Sequence, residues 1–389
     1  MKYLNYETSD LEAYQGLLTA REINNQPDLW LKTYSRVIEE KENIVDFLAK
    51  ALRNKNINIV LTGAGTSAFI GEALRGVFQR EFGVPTRAVA TTDIITHPDD
   101  YFVKSASTLM VSFARSGDSP ESVASINFAK KYCDNFYEIN ITCNSKGNLA
   151  TKENEENSYV FILPDEANDK ALAMTGSYTS MLLAGILIAD IKNIEKKSSL
   201  VHKIRYLGKH ILEKYHQKLW ELAQMKIERA VFLGSGPLFG TAQESHLKVQ
   251  ELTCGKVICK FDSFLGFRHG PVAVVDNATV VFYLLSNDLY VRQYEIDLIK
   301  SVKEFSDRTK FVCIGDGYHS KELGIDLAIK FLDETLTLPE EYLSVLYVLP
   351  AQIFGFYKSL KLDLAPDFPS KNGMITRVVE GVKIYSKNM

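Results

Sequence analysis

The 389-residue sequence has few cysteines and no excess of charge of either sign. Its five cysteines are scattered and form no CxxC pair, which excludes a disulfide framework and a zinc site of paired cysteines. Lys and Arg total 45 against 48 Asp and Glu, so the net charge of −3 offers no basic surface for nucleic acid or an anionic membrane. We therefore expect a small-molecule ligand and no nucleic-acid partner.

Long hydrophobic runs are also absent. The longest uninterrupted apolar run, residues 181–189, is much shorter than the about 20 residues that cross a bilayer. The opening residues 1–7 soon turn polar and acidic and lack the apolar core of a signal peptide. We expect a cytoplasmic protein with no membrane partner.

What is present is the composition of an ordinary folded protein. Apolar residues make up 46% and charged residues 24%, which excludes a disordered or fibrous chain. At roughly 100–200 residues per domain, the length predicts two or three domains.

The first half alternates strands with helices. Residues 1–50 are predicted to be a helical N-terminal segment, with Pro27 marking a helix start. A strand over 57–62 then leads into a glycine turn, and a helix follows from Ala68 to about residue 80. Further strands are predicted at 109–113, 136–142 and 159–163, with helices at 121–132 and 175–194. This alternation predicts a doubly wound parallel α/β sheet.

The second half repeats the pattern. A strand over 230–233 runs into Gly234-Ser235-Gly236-Pro237, and a helix resumes near Gly240. Other strands are predicted at 256–260, 279–285 and 311–314, with helices at 200–225, 289–305 and 340–362. We therefore predict an N-terminal helical segment (1–50), two tandem flavodoxin-like domains (51–197 and 210–365) and a C-terminal tail (366–389).

The first glycine turn is a candidate anion site. Its sequence lacks the third glycine of a dinucleotide fingerprint and the Gly-Lys-Ser/Thr ending of a P-loop, so nucleotide binding is not supported. Gly65, Thr66 and Ser67 would lie at a helix N-terminus, which suits a single phosphate. The alternative is that the two hydroxyls only cap the helix.

A second loop, residues 114–122, follows another buried strand. Arg115, Ser116 and Ser119 are candidates for binding phosphate. Ser119 also fits ordinary capping chemistry at the start of the next helix. Two such loops in one half of the chain favour the ligand.

In the second half, Glu244, Lys248 and Glu251 recur at i, i+4 and i+7 and share one helix face. Such a triplet is commonly a solvated, salt-bridged face. The alternative is a buried carboxylate that Lys248 orients and keeps ionised, acting as base towards a C–H next to a carbonyl.

A histidine is the remaining candidate. His269 is held by Gly270-Pro271, and a neutral imidazole there could take and give a proton, although a capping role is the alternative. His246 lies on another helix face and is expected to be structural or exposed. The seven histidines show no metal-binding spacing, so we expect no catalytic metal.

These segments resemble the sugar isomerase (SIS) family. Residues 243–251 and 267–271 are similar to the isomerase domain of glucosamine-6-phosphate synthase. The full layout, including 63–67, 113–119 and 377–382, most resembles the AgaS branch, described as galactosamine-6-phosphate deaminase/isomerases or tagatose-6-phosphate ketose/aldose isomerases. The resemblance spans nearly the whole chain and implies two tandem SIS domains.

The resemblance also implies roles for single residues. Glu251 matches the carboxylate that moves a proton between C1 and C2. His269 matches the ring-opening histidine, which in the synthase is lent by the neighbouring subunit, so a homodimer or higher oligomer with shared sites is implied. Ser67, Ser116 and Ser119 match phosphate-binding hydroxyls.

The sequence departs from the family pattern at three points, and these limit the roles that the resemblance implies. Ala114 replaces a phosphate-binding serine. Glu380 lies near where the synthase places a Schiff-base lysine, although Lys383 is close by, so opening a ketose through a lysine imine does not carry over. The chain begins Met1-Lys2, without the cysteine nucleophile of a glutaminase, and glutamine-driven amination is not expected.

The resemblance therefore implies conversion of a hexosamine 6-phosphate, foremost D-galactosamine 6-phosphate, to D-tagatose 6-phosphate and ammonia. His269 would open the ring and Glu251 would take the C2 proton, with no cofactor. A plain isomerase, a sugar-phosphate deglycase and a non-catalytic sugar-phosphate sensor are the alternatives. The presence of both Glu251 and His269 favours catalysis.

Overall fold

The computed structural model describes residues 1–54, 56–152, 156–304, 308–370, 373, 375–377, 381–385 and 387. The strands are β1 (Lys2–Tyr3), β2 (Tyr6–Glu7), β3 (Ile57–Thr62), β4 (Thr86–Ala88), β5 (Ser107–Ala114), β6 (Asn135–Thr142), β7 (Ser158–Ile162), β8 (Arg229–Leu233), β9 (Ile258–Asp262), β10 (Thr279–Leu284), β11 (Lys310–Ile314) and β12 (Leu327–Ile329). The α-helices are α1 (Thr8–Ala13), α2 (Leu17–Glu39), α3 (Lys41–Ala51), α4 (Thr66–Phe82), α5 (Thr91–Thr96), α6 (Pro120–Tyr132), α7 (Gly176–Ala189), α8 (Ser198–Lys214), α9 (His216–Gln224), α10 (Pro237–Leu252), α11 (Phe264–Phe267), α12 (Leu289–Lys303), α13 (Glu340–Leu346) and α14 (Leu349–Lys361).

The chain forms two compact units, each built on one parallel sheet. The first unit consists of Asp28–Asp169, Gly176–Val201 and Gly373–Met389. The second unit consists of Met1–Pro27, Lys170–Thr175 and His202–Asn372. These units differ from the predicted segments: residues 1–27 and 170–175 belong to the second unit, and the predicted tail 366–389 is divided between the units at residue 373.

The first sheet has the strand order β4-β3-β5-β6-β7, and all its strands are parallel. Its central strand β5 is buried along its whole length, and its side chains alternate between the two faces. Met110 packs with Ile126 of α6 on one face. On the other face Phe113 lies beside α7, where a Cβ at Gly185 would come within 2.3 Å of Leu74 in α4. Helices therefore cover both faces.

The second sheet has the order β9-β8-β10-β11-β12, again parallel. Val281 packs with Leu298 of α12 on one face. On the other face Phe282 lies 5.4 Å from Phe354 of α14, measured between ring centroids. By position in its own unit, each sheet has the order 2-1-3-4-5, which is the flavodoxin-like topology. The prediction of two tandem doubly wound domains after a helical N-terminal segment is confirmed.

Pro27 was predicted to start a helix, and this was wrong. It lies inside α2, where its missing N–H leaves the carbonyl of Ile23 without the usual helical donor. The side-chain Nε2 of Gln26 donates to that carbonyl at 3.2 Å. The helix therefore continues through the proline.

The start of α2 is fixed by a residue far along the chain. The carboxylate of Asp367 accepts hydrogen bonds from the N–H groups of Leu18 (3.1 Å) and Thr19 (2.8 Å) and from the Thr19 hydroxyl (2.8 Å). Such bonds satisfy donors that a helix N-terminus leaves unpaired. The second unit is thus closed by residues from both ends of the sequence.

Smaller differences concern short or apolar elements. The predicted helix 200–225 is two helices, α8 and α9, and the N-terminal segment opens with the hairpin β1–β2. The three-residue edge strands β4 and β12 were not predicted, because runs this short carry no periodicity. Within the described chain, one helical segment, Glu340–Lys361, is long and apolar enough to cross a membrane, and 94% of its apolar window is buried inside the protein.

Candidate active-site residues

The first glycine turn joins β3 to α4. Gly65 has φ +53°, a conformation that favours glycine. A Cβ at Gly63 would come within 2.5 Å of the backbone of Ser67, so no other residue fits without a shift. The turn brings the backbone and the hydroxyl-bearing residues 66 and 67 to the carboxyl end of the sheet, where ligands of this fold bind.

Thr66 and Ser67 do not cap α4. Gly65 is the N-cap residue and makes no side-chain capping bond. Both residues are buried, with 4% and 5% of their surface exposed. The capping alternative therefore does not account for these hydroxyls, which lie beside the positive end of the helix dipole.

The second predicted loop follows β5, the neighbour of β3 in the sheet. Ser119 is the N-cap of α6, because its Oγ accepts the N–H of Ser122 at 3.3 Å. The Ser116 hydroxyl accepts the N–H of Asp118 at 3.3 Å. Ser119 therefore caps the helix as the alternative predicted. Ser116 caps no helix, and its hydroxyl accepts one hydrogen bond within its own loop.

A third loop, after β6, was not predicted to matter. Asn144 donates to the carbonyl of Ser116 at 2.9 Å, and the N–H of Asn148 donates to Asp118 at 2.9 Å. A Cβ at Gly147 would lie 2.3 Å from the same Ser116 carbonyl. These contacts hold the serine loop in place. The Asn-Ser-Lys-Gly-Asn sequence was the available signal, although it is typical of any turn.

Arg115 is nearly buried, with 6% exposed, and faces a segment far along the chain. Its Nη2 donates to the carbonyl of Arg377 at 2.5 Å. Arg377 in turn donates to Asn168 at 2.6 Å and to the carbonyl of Asp169 at 2.9 Å and 2.7 Å. The candidate phosphate loop is therefore tied to the C-terminal tail.

The two other candidate residues of the C-terminal tail are Glu380 and Lys383. Glu380 lies outside the described residues. The ammonium of Lys383 is exposed and lies 5.0 Å from the ring centroid of Tyr385, a cation–π contact.

In the second unit the charged triplet lies on α10. Lys248 Nζ is 2.5 Å from Glu251 Oε2 and 3.5 Å from Glu244 Oε1. The side chains of Lys248 and Glu244 are 1% and 0% exposed, whereas that of Glu251 is 20% exposed. The solvated-face interpretation is wrong, because α14 packs closely over this helix: a Cβ at Gly355 would touch Leu252 and Val249.

Burial gives this triplet a particular chemistry. Charges removed from water need a partner, and the Lys248 ammonium supplies it to two carboxylates. Only Glu251 reaches the surface, so it alone can meet a substrate. A fixed, partly exposed carboxylate of this kind can accept and return a proton.

His269 follows the short helix α11, which Ser263 caps by accepting the N–H of Gly266. The residue is exposed, and its own N–H donates to the carbonyl of Gly266 at 3.0 Å. The backbone thus fixes its position while the imidazole faces outward. His246, by contrast, packs 4.7 Å from the Phe261 ring, and burial lowers its pKa to about 4. It is structural.

A second buried ion pair was missed in the sequence. Glu295 on α12 is fully buried, accepts the N–H of Ser286 at 3.0 Å and lies 3.6 Å from Arg292. Burial raises the pKa of Glu295 to about 8, against the opposing charge of Arg292. The i, i+3 spacing of the pair was the only signal.

No group of three or more His, Cys, Asp and Glu side chains with metal-binding geometry occurs among residues that the structure describes.

The fold and these residues define a tandem SIS-type sugar-phosphate protein, and comparison with known proteins agrees. Residues 51–189 match the SIS domain family. Over 379 residues the chain is 37% identical to the D-galactosamine-6-phosphate deaminase AgaS of Shewanella sp. (strain ANA-3), with 96% of this chain and 93% of that protein covered. The AgaS deaminase of Escherichia coli is 34% identical, with 96% and 97% covered.

Among solved structures, the tagatose-6-phosphate ketose/aldose isomerase from Escherichia coli superposes with a TM-score of 0.86 at 31% identity, covering 96% of this chain and 98% of that one. The chain belongs to the SIS-domain family, in its AgaS branch. The resemblance given above is confirmed.

Proposed function

We propose that this protein is a cytoplasmic enzyme that converts D-galactosamine 6-phosphate and water to D-tagatose 6-phosphate and ammonia. The observation that carries the proposal is the buried Lys248 ammonium, which holds the partly exposed Glu251 carboxylate at 2.5 Å. Its relatives that are named as deaminases match it over nearly their whole length.

The proton transfer is assigned to Glu251. Once the pyranose is open, its carboxylate takes the proton from C2, the electron pair forms the C1–C2 double bond, and the C1 carbonyl oxygen takes a proton from the C2 ammonium group, which gives an enaminol. Returning the proton to C1 leaves a C2 iminium. Water adds to that carbon, ammonia leaves, and the C2 ketone remains. Lys248 acts as a positioning residue, since its ion pair fixes the carboxylate.

Ring opening is assigned to His269. Its imidazole can give a proton to the ring oxygen and take one from the C1 hydroxyl. Its exposure supports a role towards a second copy of the chain, and the proposal therefore includes a homodimer in which His269 serves the partner's site.

The 6-phosphate is assigned to the first unit. The hydroxyls of Thr66, Ser67, Ser116 and Ser119 are donors suited to a dianion, and Arg115 adds positive charge to the loop. Charge-assisted hydrogen bonds of this kind favour phosphorylated over unphosphorylated sugars.

The test is a substrate comparison with purified protein. Galactosamine 6-phosphate and glucosamine 6-phosphate are incubated separately, and ammonia and ketose phosphate are both quantified. The proposal expects stoichiometric ammonia and tagatose 6-phosphate from the galacto epimer. Aldose–ketose interconversion without ammonia would instead indicate a plain isomerase. Saturable binding without turnover would indicate a sensor.

A second experiment tests the shared site. Glu251→Gln and His269→Asn proteins are each expected to be inactive, and mixing them with subunit exchange should restore part of the activity, because some mixed dimers contain one intact site. Mixtures that stay inactive after proven exchange would place each site within a single chain.

A further inference from the structure

The second unit contains a cavity of about 630 Å³ that includes none of the residues assigned to the reaction. A neighbouring cavity of about 240 Å³ shares two of its lining residues, Tyr6 and Trp220. The two together form a divided space at the junction of the N-terminal hairpin, α9 and the end of α14. A site of this size accommodates a small ligand.

Aromatic rings line the space in a fixed arrangement. Trp220 Nε1 donates to the Tyr6 hydroxyl at 3.3 Å, and the Tyr6 and Tyr14 rings stand at 87° with centroids 6.2 Å apart. Tyr14 is 52% exposed, so its ring is accessible to a ligand in the cavity. The negative face of an aromatic ring attracts the slightly positive C–H bonds of a sugar ring, while Tyr and Trp keep a polar edge for hydroxyls.

The polar lining suits a ligand rich in hydroxyls. Gln15 and Gln224 each offer a donor and an acceptor, as neighbouring sugar hydroxyls require. One lysine, Lys361, and one aspartate, Asp363, provide opposite charges and no net positive field. This balance disfavours a phosphate dianion and gives an ammonium group a carboxylate partner.

Two of the lining residues, Gln15 and Asp363, have a strained backbone conformation. Gln15 and Asp363 have φ of +51° and +55° and follow the last residues of α1 and α14, positions where glycine is the usual residue. Glycine would adopt this conformation without strain but would place no side chain in the cavity. Gln15 and Asp363 both line the cavity.

We infer that this divided cavity is a binding site for an unphosphorylated amino sugar, with the pyranose ring against Trp220 and Tyr14 and the ammonium group at Asp363. The site is separate from the residues proposed for catalysis and does not depend on the reaction assigned to them.

Fluorescence can test this site directly. The chain has two tryptophans, of which Trp30 is fully buried and Trp220 lines the cavity. Titration with D-galactosamine should change the emission saturably, and Trp220→Phe should abolish that change. Asp363→Asn should weaken galactosamine binding about tenfold or more and leave the weaker binding of D-galactose unaltered, because only the amino sugar loses an ionic hydrogen bond.

Asp297→Asn is the matched control, since Asp297 is exposed on α12 and lines neither cavity. Melting curves establish that each variant is folded. Three results would overturn the inference: no saturable change up to tens of millimolar galactosamine, equal affinity in Asp363→Asn, or saturation by adenosine but by neither sugar.

Discussion

The two glycine turns have nearly the same backbone and different chemistry. Gly65 and Gly236 have φ, ψ of +53°, −125° and +56°, −130°. At Gly63 and at Gly234 a Cβ would come within 2.5 Å and 2.2 Å of the backbone that follows. Turn geometry is therefore a requirement of the strand-to-helix connection in this fold. By itself it does not indicate a phosphate site.

The side chains after the turns carry the difference. Thr66 and Ser67 open α4, where Pro237 and Leu238 open α10. Proline has no N–H and leucine has no hydroxyl, so the second turn offers fewer donors to an anion. This difference supports the proposal that the first turn, and not the second, binds the phosphate.

The helices differ further along. Ala73 and Val77 lie at the same spacing from the first turn as Glu244 and Lys248 do from the second, and all four residues are at most 2% exposed. The fold thus buries this helix face in both units. Alanine and valine fill this buried face without a desolvation cost, whereas charged side chains there carry one. The buried charges on α10 therefore point to a function other than stability.

Glu251→Gln tests this conclusion with the largest expected effect. The amide keeps the shape but cannot accept the C2 proton, so kcat should fall by about 10²–10⁴ with little change in KM. Glu72→Gln, a change of carboxylate on the sister helix α4, should leave kcat near wild type. Wild-type turnover in deuterium oxide should place deuterium at C1 of the ketose. A Glu251→Gln enzyme with nearly full turnover would refute the proton-transfer role.

Lys248→Met should lower stability as well as activity, because the same ammonium holds Glu251. Removing one partner from a buried ion pair costs about 3–5 kcal/mol, because Glu244 is left without its countercharge. Urea denaturation measures this loss, and adding Glu244→Gln should recover part of it. If the single variant is as stable as wild type, the triplet is more hydrated in solution than the structure indicates.

Ser116→Ala tests the serine loop of the first unit through KM. Loss of a hydrogen bond to a charged group costs about 1.5–3 kcal/mol, which corresponds to a KM higher by roughly tenfold to hundredfold. Ser119→Gly should add to this while preserving most of the cap on α6. Ser235→Ala in the second turn is the control and should not change KM. An equal response at Ser235 and Ser116 would remove the distinction between the serine loop of the first unit and the second turn.

Glu295→Gln is expected to change the pH dependence of stability and not the reaction, and it concerns only the second unit. Because burial raises the pKa of Glu295 to about 8 from 4.5, the folded chain keeps a proton there that the unfolded chain releases. This contribution to stability is full below pH 4.5 and is lost as the pH rises to about 8, at up to about 1.4 kcal/mol per pH unit. The variant should therefore show a shallower decline in the free energy of unfolding over this range.

Urea denaturation of wild type and Glu295→Gln near pH 5 and near pH 8 measures how the free energy of unfolding changes with pH. Asp297→Asn on the same helix is the control. Parallel curves for wild type and Glu295→Gln would mean that the carboxyl is ionised throughout this range.

The sheets and turns were predictable because each long strand and its helix carry their own periodicity. The helical spacing of Glu244, Lys248 and Glu251 places them on one face, yet it cannot tell whether another helix covers that face. That depends on α14, whose Gly355 allows the close approach. The prediction at Pro27 was wrong for a similar reason, since the Gln26 side chain that donates to the Ile23 carbonyl cannot be recognised from the sequence pattern.

The bonds from Leu18 and Thr19 to Asp367 have a consequence for synthesis on the ribosome. The strands of the first sheet have all been translated by residue 162, whereas the N-terminus of α2 waits for a partner more than three hundred residues downstream. The nascent chain therefore carries the N-terminus of α2 without this carboxylate partner through most of translation. Any stop codon before position 367 releases a chain in which this closure of the second unit cannot form.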